Sequence, residues 1–389
     1  MCRTCATAVE GQVALDEGKA ILYRECPEHG AAKLLLSRHG RLYADLDRFY
    51  FDVLKGDTPC GRITNYWILI KDACRINCPY CSVEMQDPFF QEMTLQEYRD
   101  LIPRYRKAKN TLNGGEPTLH PQVFDFVREA VKNGVTVQVA TNGIRLANPS
   151  YCKHLADAGV DEIRLSVDSI DKEQARRLGV EQFVDTKLAA MQNLEALHFP
   201  TSLSPTIFKG INEDQLLACC EYAKDKPFIR SLSVNGFAWV TTIKGLGPEH
   251  IIMPVKMMDL LREKYGSDSR EAIYTFQKTL HDWLPLVDVR LCMGVQIVLF
   301  VCYNDTLKLL NHYLNINVMN SAVKRWKRHI SKSLFGKRLL FPGVELHAIK
   351  LETLSRLPAM LKLFIANSFG IGAIKNLKIF FPVVIYADC

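Results

Sequence analysis

No apolar run in this 389-residue chain reaches the length of about 18 residues that a membrane-spanning helix needs; the longest, 293–303, is too short. A spanning helix is therefore not expected, and the only membrane contact left open is a peripheral one. A leader pattern is missing too, because Cys2 follows Met1 directly. The 13 cysteines lie in CxxC-type clusters of a large chain, so a disulfide framework is not expected and a reducing, cytoplasmic compartment is. Charge of one sign is also scarce over most of the length, since the net +7 comes from the last eighty or so residues. That basic end suits an anionic partner such as lipid headgroups or a phosphorylated small molecule, with nucleic acid less favoured. With 48% hydrophobic residues the chain can bury a large core, and its length predicts two or three domains.

A further absence is the informative one. Cys74-Arg75-Ile76-Asn77-Cys78-Pro79-Tyr80-Cys81 follows an apolar run at 66–70, yet the next dozen residues contain neither Cys nor His. Three thiolates on one strand-end loop are soft donors suited to zinc or to iron and sulfide. A closed zinc site needs a fourth ligand close by. The set therefore reads as a cube of iron and sulfide held at three corners, with the fourth iron open to a ligand that is not protein. About thirty residues on, Asn113-Gly114-Gly115-Glu116-Pro117-Thr118 pairs two glycines, which permit positive φ and close backbone approach, with a carboxylate suited to an ammonium group.

From 66 onward, strand patterns at 66–70, 110–113, 136–140, 162–167, 202–208 and 231–234 alternate with helical patterns at 94–108, 121–133, 149–158, 185–197 and 213–224. Alternation of this kind predicts parallel strands with right-handed crossovers, and six units predict a partial barrel whose strand C-termini carry the site. The cysteine loop and the Gly-Gly-Glu turn both fall at such ends. So do Asn142, with Gly143 in a turn-forming pair, and Ser166 and Asp168, the last also suited to capping a helix. Lys209 follows the fifth strand pattern.

Together the cysteine spacing, the aromatic Tyr80 before the third Cys and the Gly-Gly-Glu turn resemble the radical S-adenosylmethionine (radical SAM) enzymes. The resemblance implies a 4Fe-4S cluster on Cys74, Cys78 and Cys81, with S-adenosylmethionine contacted by Tyr80, Gly114, Gly115, Glu116, Asn142, Ser166 and Asp168. It also implies reductive cleavage of that cofactor to a 5′-deoxyadenosyl radical, fed by a small electron-transfer protein such as flavodoxin or ferredoxin. Apolar strands around the cysteine loop are expected to keep water away from the radical.

Ahead of this core, Cys2, Cys5, Cys26 and His29 bracket two short strand patterns, at 12–15 and 20–23, in a ribbon suited to one zinc or one iron ion. Cys60 is the alternative to His29 as fourth ligand. Such a module is too small to fold on its core alone, so metal should carry much of its stability. The expected division is a metal module at 1–45, a linker at 46–64 with a helix at 45–51, a radical SAM core at 65–236 and an α+β extension at 237–389. In the extension, helices are expected at 254–265 and 272–281 and a strand at 295–302 with a turn at 304–305. A second cluster drawing on Cys292 and Cys389 is the weaker reading of the cysteines there. The basic run 324–329 around Trp326, with the apolar stretches 339–342 and 357–386, reads as an interfacial surface.

Ribbon, core and basic apolar end together resemble the tetraether synthase group, whose members were also assigned as methylases of a pterin precursor. That resemblance implies a lipid-like substrate altered by carbon–carbon bond formation or methylation. A peptide or a small heterocycle such as a pterin is the alternative substrate, and a non-catalytic cluster-binding protein is the alternative class.

Overall fold

The structure is a computed structural model that describes residues 7–38, 65–81, 91–105, 108–237, 246–266, 295–303, 306–309 and 382–386, together with Cys5 and four positions between 40 and 44. Cys2, Cys60, Cys292 and Cys389 lie outside the described residues, as do the expected helices at 45–51 and 272–281, the turn at 304–305 and the stretches 324–329 and 339–342. The chain divides into two compact units, residues 63–252 on one side and residues 1–62 with 253–387 on the other.

In the second of these units, β1 (Gly11–Asp16), β2 (Lys19–Cys26) and β3 (Gly30–Ser37) form an antiparallel sheet in the order β1-β2-β3. Two strands were expected; β3 is additional. Its sequence, GAAKLLLS, lacks strict alternation, and only pairing with β2 makes it a strand. Gly18 and Gly30 take positive φ at the two turns.

The core unit begins with β4 (Asn65–Lys71) and continues through β5 (Lys109–Gly114), β6 (Val137–Thr141), β7 (Glu162–Ser166), β8 (Thr201–Ser204), β9 (Thr206–Ile207) and β10 (Ile229–Gly236). Within the unit the sheet order is β4-β5-β6-β7-β8-β10, every neighbour parallel, with β9 also alongside β10. The helices between these strands are α1 (Leu95–Tyr105), α2 (Val123–Lys132), α3 (Pro149–Ala158), α4 (Lys172–Arg177), α5 (Val184–Ala196) and α6 (Gln215–Ala223). The fifth strand pattern, 202–208, is broken into β8 and β9 because Pro205 has no N–H to give the ladder; its carbonyl still accepts from Asn235 N at 2.9 Å. Helix α4 was not expected. Asp171 caps it by accepting from Gln174 N, and six residues are too few to show a helical period.

Alternation within the strands separates two faces. Ile68, Ile70, Leu112, Val139, Ile163, Leu165 and Leu203 are buried on the face that meets the helices, where Asn110 donates to Tyr98 of α1 and Leu165 lies with Ala190 of α5 against Gly143. Burying a side chain of this kind is worth about 1.5–3 kcal/mol. The opposite face carries Trp67, Leu69, Thr111, Asn113, Gln138, Ala140, Arg164, Ser202, Ser204 and Ser233, and is mostly polar. Arg164 of β7 sits over the Trp67 ring of β4, 4.8 Å from its centroid. Three strand spacings in a flat sheet would separate them by about 14 Å, so the sheet curls with this polar face inside. The strands are thus mainly apolar toward the helices and mainly polar on the inner face, which corrects the expectation of an apolar lining.

In the other unit, α7 (Pro254–Tyr265) matches its expected span, with Pro254 at the first turn where its missing N–H costs nothing. β11 (Val295–Tyr303) pairs antiparallel with β12 (Thr306–Leu309) and with β13 (Pro382–Tyr386). Residues 382–386, read above as part of an interfacial apolar stretch, are therefore a ladder strand; a pairing across some eighty residues leaves no local signature. Among the described residues no helix is long and apolar enough to cross a membrane.

Candidate functional site

The strand C-termini of the core unit bring the sequence motifs together. Gly115 N donates to Lys71 O at 2.6 Å, laying the turn after β5 on the backbone that leaves β4 for Cys74. Gly114 has φ +137, and a Cβ added there would overlap the Lys71 carbonyl; one on Gly115 would overlap that of Asp72. The two glycines are required because backbone passes over backbone, whereas the sequence suggested that a ligand came close.

Glu116, 2% exposed, follows at once. Its Oε1 accepts from Thr118 N at 3.0 Å, Thr118 Oγ1 at 2.6 Å and Thr141 Oγ1 at 2.7 Å, and its Oε2 accepts from Asn142 N at 2.7 Å. Burial raises its carboxyl above the ordinary range, while the hydrogen bonds from Thr118, Asn142 and Thr141 pull the other way. Asn142 in turn donates through Nδ2 to Cys74 Sγ at 3.5 Å. One residue therefore joins the ends of β4, β5 and β6. Its Oδ1 accepts from Ile144 N, so the turn role and the contact to the cysteine loop coexist.

None of the three thiols of the loop is in a disulfide, and all are partly exposed. Cys81 N donates to Cys78 O at 3.0 Å, and Cys74, Cys78 and Tyr80 pack on the cluster of Ile76, Leu178, Val184, Phe208 and Phe237. The Cys78 thiol is pushed up to about 12, first by burial and next by Asp168, against Lys187 and Tyr80. A thiol so placed becomes a thiolate only when a metal centre compensates the charge, which is the donor chemistry of an iron–sulfur ligand.

Ser166 ends β7, and its carbonyl accepts from Lys187 Nζ at 2.7 Å. Asp168, 4% exposed, accepts from Tyr80 Oη at 2.7 Å on Oδ2 and from Thr206 N at 2.9 Å on Oδ1. Each of its oxygens thus accepts one hydrogen bond from the protein. Tyr80 meets Phe208 edge-on, with centroids 4.9 Å apart. Lys209 lies at the same strand ends, its N–H donating to His250 O.

Lys187 went unnoticed in the sequence, although a signal was there. It occupies the same stripe of α5 as Val184, Ala190, Met191 and Leu194, a cation where the helical period calls for an apolar residue. Trp67 and Arg164 were missed for another reason, since nothing local places residues 97 positions apart in contact.

At the ribbon, Cys5 Sγ lies 3.7 Å from Cys26 Sγ, and Cys26 Sγ lies 3.6 Å from His29 Nδ1. Among the described residues these three form a set whose ligand atoms all lie within 4.8 Å of one another, the spacing that a single tetrahedral ion imposes. His29 is thus within the set. Cys26→Ser is expected to release about one metal ion per chain and to lower the stability of the ribbon while leaving the cluster in place. Metal analysis together with thermal unfolding of the full chain checks this.

Residues 68–223 match the family model described as the Radical SAM superfamily, and residues 1–38 match the HMPTM N-terminal zinc ribbon domain. The chain carries a radical SAM domain. Radical SAM enzymes hold a 4Fe-4S cluster and S-adenosylmethionine, and the zinc ribbon adds a second metal, in agreement with the donor sets above. Among curated relatives, a 7,8-dihydro-6-hydroxymethylpterin dimethyltransferase of Methanocaldococcus jannaschii is 23% identical over 86% of this chain and 73% of its own length. A GTP 3′,8-cyclase of Erythrobacter litoralis is 30% identical over 43% of this chain, which spans about half of that relative's length. Among solved structures, Streptococcus suis SuiB bound to S-adenosylmethionine aligns over 69% of each chain at 14% identity with a TM-score of 0.45.

Proposed function

We propose that this radical SAM enzyme alters a small polar heterocycle of the pterin kind, with methylation as the leading outcome. The observation that supports this reading is the polar concave face of the core sheet. On it Arg164 Nε donates to Ser204 Oγ at 3.1 Å, Gln138 Nε2 donates to Glu162 Oε2 at 2.8 Å, and Asn235 Nδ2 donates to Ser204 Oγ at 3.2 Å. Arg164, Gln138 and Ser204 are buried and already paired, so this face offers a flexible hydrocarbon chain few apolar contacts. A flat heterocycle can stack on the Trp67 indole, which is 46% exposed beside Leu69 at 49%, and can exchange hydrogen bonds with Asn113. The pterin named in the description of the Methanocaldococcus relative is of this chemistry. A lipid-like substrate, the first expectation from the tetraether synthase resemblance, finds little apolar surface on this face beyond Trp67, Leu69 and Ala140.

Cluster and S-adenosylmethionine, when bound, supply a carbon-centred radical able to take hydrogen from an unactivated carbon. The chain holds and shields that chemistry. Cys74, Cys78 and Cys81 ligate the cluster, and Asn142 orients Cys74. Glu116 Oε2, which accepts from Asn142 N, has lone-pair capacity left for the cofactor's ammonium. Gly114 and Gly115 let that carboxylate sit beside the cysteine loop, and Lys187 offers an ammonium beside Ser166 for a carboxylate. A small electron-transfer protein of the flavodoxin or ferredoxin kind supplies the electron.

The test is 5′-deoxyadenosine formation by anaerobic, reconstituted protein with reductant, comparing a 7,8-dihydropterin with lipid vesicles. Stimulation by the pterin alone is the expected result; stimulation by lipid alone sinks the reading. Trp67→Ala should weaken pterin binding by about 1–3 kcal/mol, roughly 5- to 150-fold in KM, with basal cofactor cleavage retained.

A further inference from the structure

Tyr80 Oη, 2.7 Å from Asp168 Oδ2, belongs to a hydrogen-bond system that the reaction as described above does not use. Asp168 Oδ1 takes Thr206 N, while Asn212 Nδ2 donates to both Asp168 O at 2.7 Å and Thr206 O at 2.9 Å. Asn212 Oδ1 in turn takes Phe208 N at 2.7 Å. The Asp168 carboxylate is therefore held in place by the cysteine loop on one oxygen and by the first residue of β9 on the other. Tyr80 packs beside Cys78 on the apolar cluster around Ile76 and Phe208, and the carboxylate that its hydroxyl meets lies close enough, as does the Lys187 ammonium, to act on the Cys78 sulfur. A negative group fixed beside a cluster thiolate in a half-buried site opposes any further negative charge on the cluster. A hydroxyl donating to that carboxylate disperses part of its charge.

We infer that the Tyr80 hydroxyl is a positioning residue that shields the Cys78 corner of the cluster from Asp168, and so sets how readily the cluster accepts an electron. The inference rests on Cys78 being a cluster ligand. Reduction adds one electron, so a barer carboxylate must lower the midpoint potential and loss of the carboxylate must raise it. Asn at position 168 keeps the local geometry, because its Oδ1 can still take Thr206 N while its Nδ2 donates to Tyr80 Oη.

The experiment is an EPR-monitored redox titration of the full-length, reconstituted protein without substrate, for wild type, Tyr80→Phe, Asp168→Asn and the double variant. The expected result is a negative shift for Tyr80→Phe, a positive shift for Asp168→Asn, and no effect of Tyr80→Phe once Asp168 is Asn. Shifts of the same sign, or none, overturn the inference while leaving the cluster assignment intact. A wild-type protein that yields no cluster signal overturns that assignment as well. If Tyr80→Phe alone loses its cluster, recovery of the cluster in the double variant supports shielding, and continued loss shows that the hydroxyl only holds the loop in place and overturns shielding.

Discussion

Cys78→Ala removes the iron–sulfur cluster and with it all turnover. On the proposed assignment three cysteines hold that cluster, and Cys78, like Cys74, packs against the apolar group of Ile76, Phe208 and Phe237, so its sulfur is placed by the core. No described thiol can replace it. Cys152, Cys219 and Cys220 are buried in α3 and α6, where burial pushes the first two up to about 11 and about 12 and the third well above its ordinary value. Iron and sulfide per chain after anaerobic reconstitution should fall to what adheres nonspecifically, the low-temperature EPR signal should vanish, and the ribbon metal should remain. Far-ultraviolet circular dichroism should be unchanged, because the thiol is partly exposed and its removal opens little space. Full iron loading with retained activity would refute the site.

Gly114→Ala loses the cluster by a different route, through the backbone. The new methyl meets the Lys71 carbonyl, and φ +137 is a conformation that an alanine holds only under strain. Overpacking of this kind costs about 1–3 kcal/mol, and the backbone strain a similar amount. Relief can come only if the segment after β4 lifts off the turn after β5, which pulls Cys74 away from Asn142. We expect a clear fall in the unfolding midpoint together with loss of most iron. Gly134→Ala is the control. Its φ of +69 also disfavours alanine, but nothing lies within 4 Å of the added Cβ, so a loss of about 1 kcal/mol with full iron content is expected. Equal iron loss in both variants would mean that general instability, and not the contact with Lys71, empties the site.

The residues whose roles were readable before folding share one property: their chemistry needs only neighbours in sequence. Three thiols within eight residues point to a shared metal site wherever the loop lies. The CxxC and CPEHG knuckles announce a single ion in the same way. Alternating strand and helix periods of 2 and 3.6 residues were enough for the parallel core, with small errors at Pro205 and at the short α4. By contrast, β13 depends on a partner some eighty residues away, and β3 on its register with β2.

From the amino-acid order alone came the metal donors, the parallel α/β core and the strand ends at which its chemistry gathers, because each is encoded by local spacing and periodicity. Only the tertiary structure decided what surrounds those donors. It gave the paired glycines a backbone to lie on, tied Asp168 to Tyr80 across 88 residues, put Lys187 beside the cysteine loop and turned a polar face inward. These depend on the curl of the sheet and on contacts between distant segments. Such contacts form only when burial of the helix-facing side offsets the entropy of bringing those segments together.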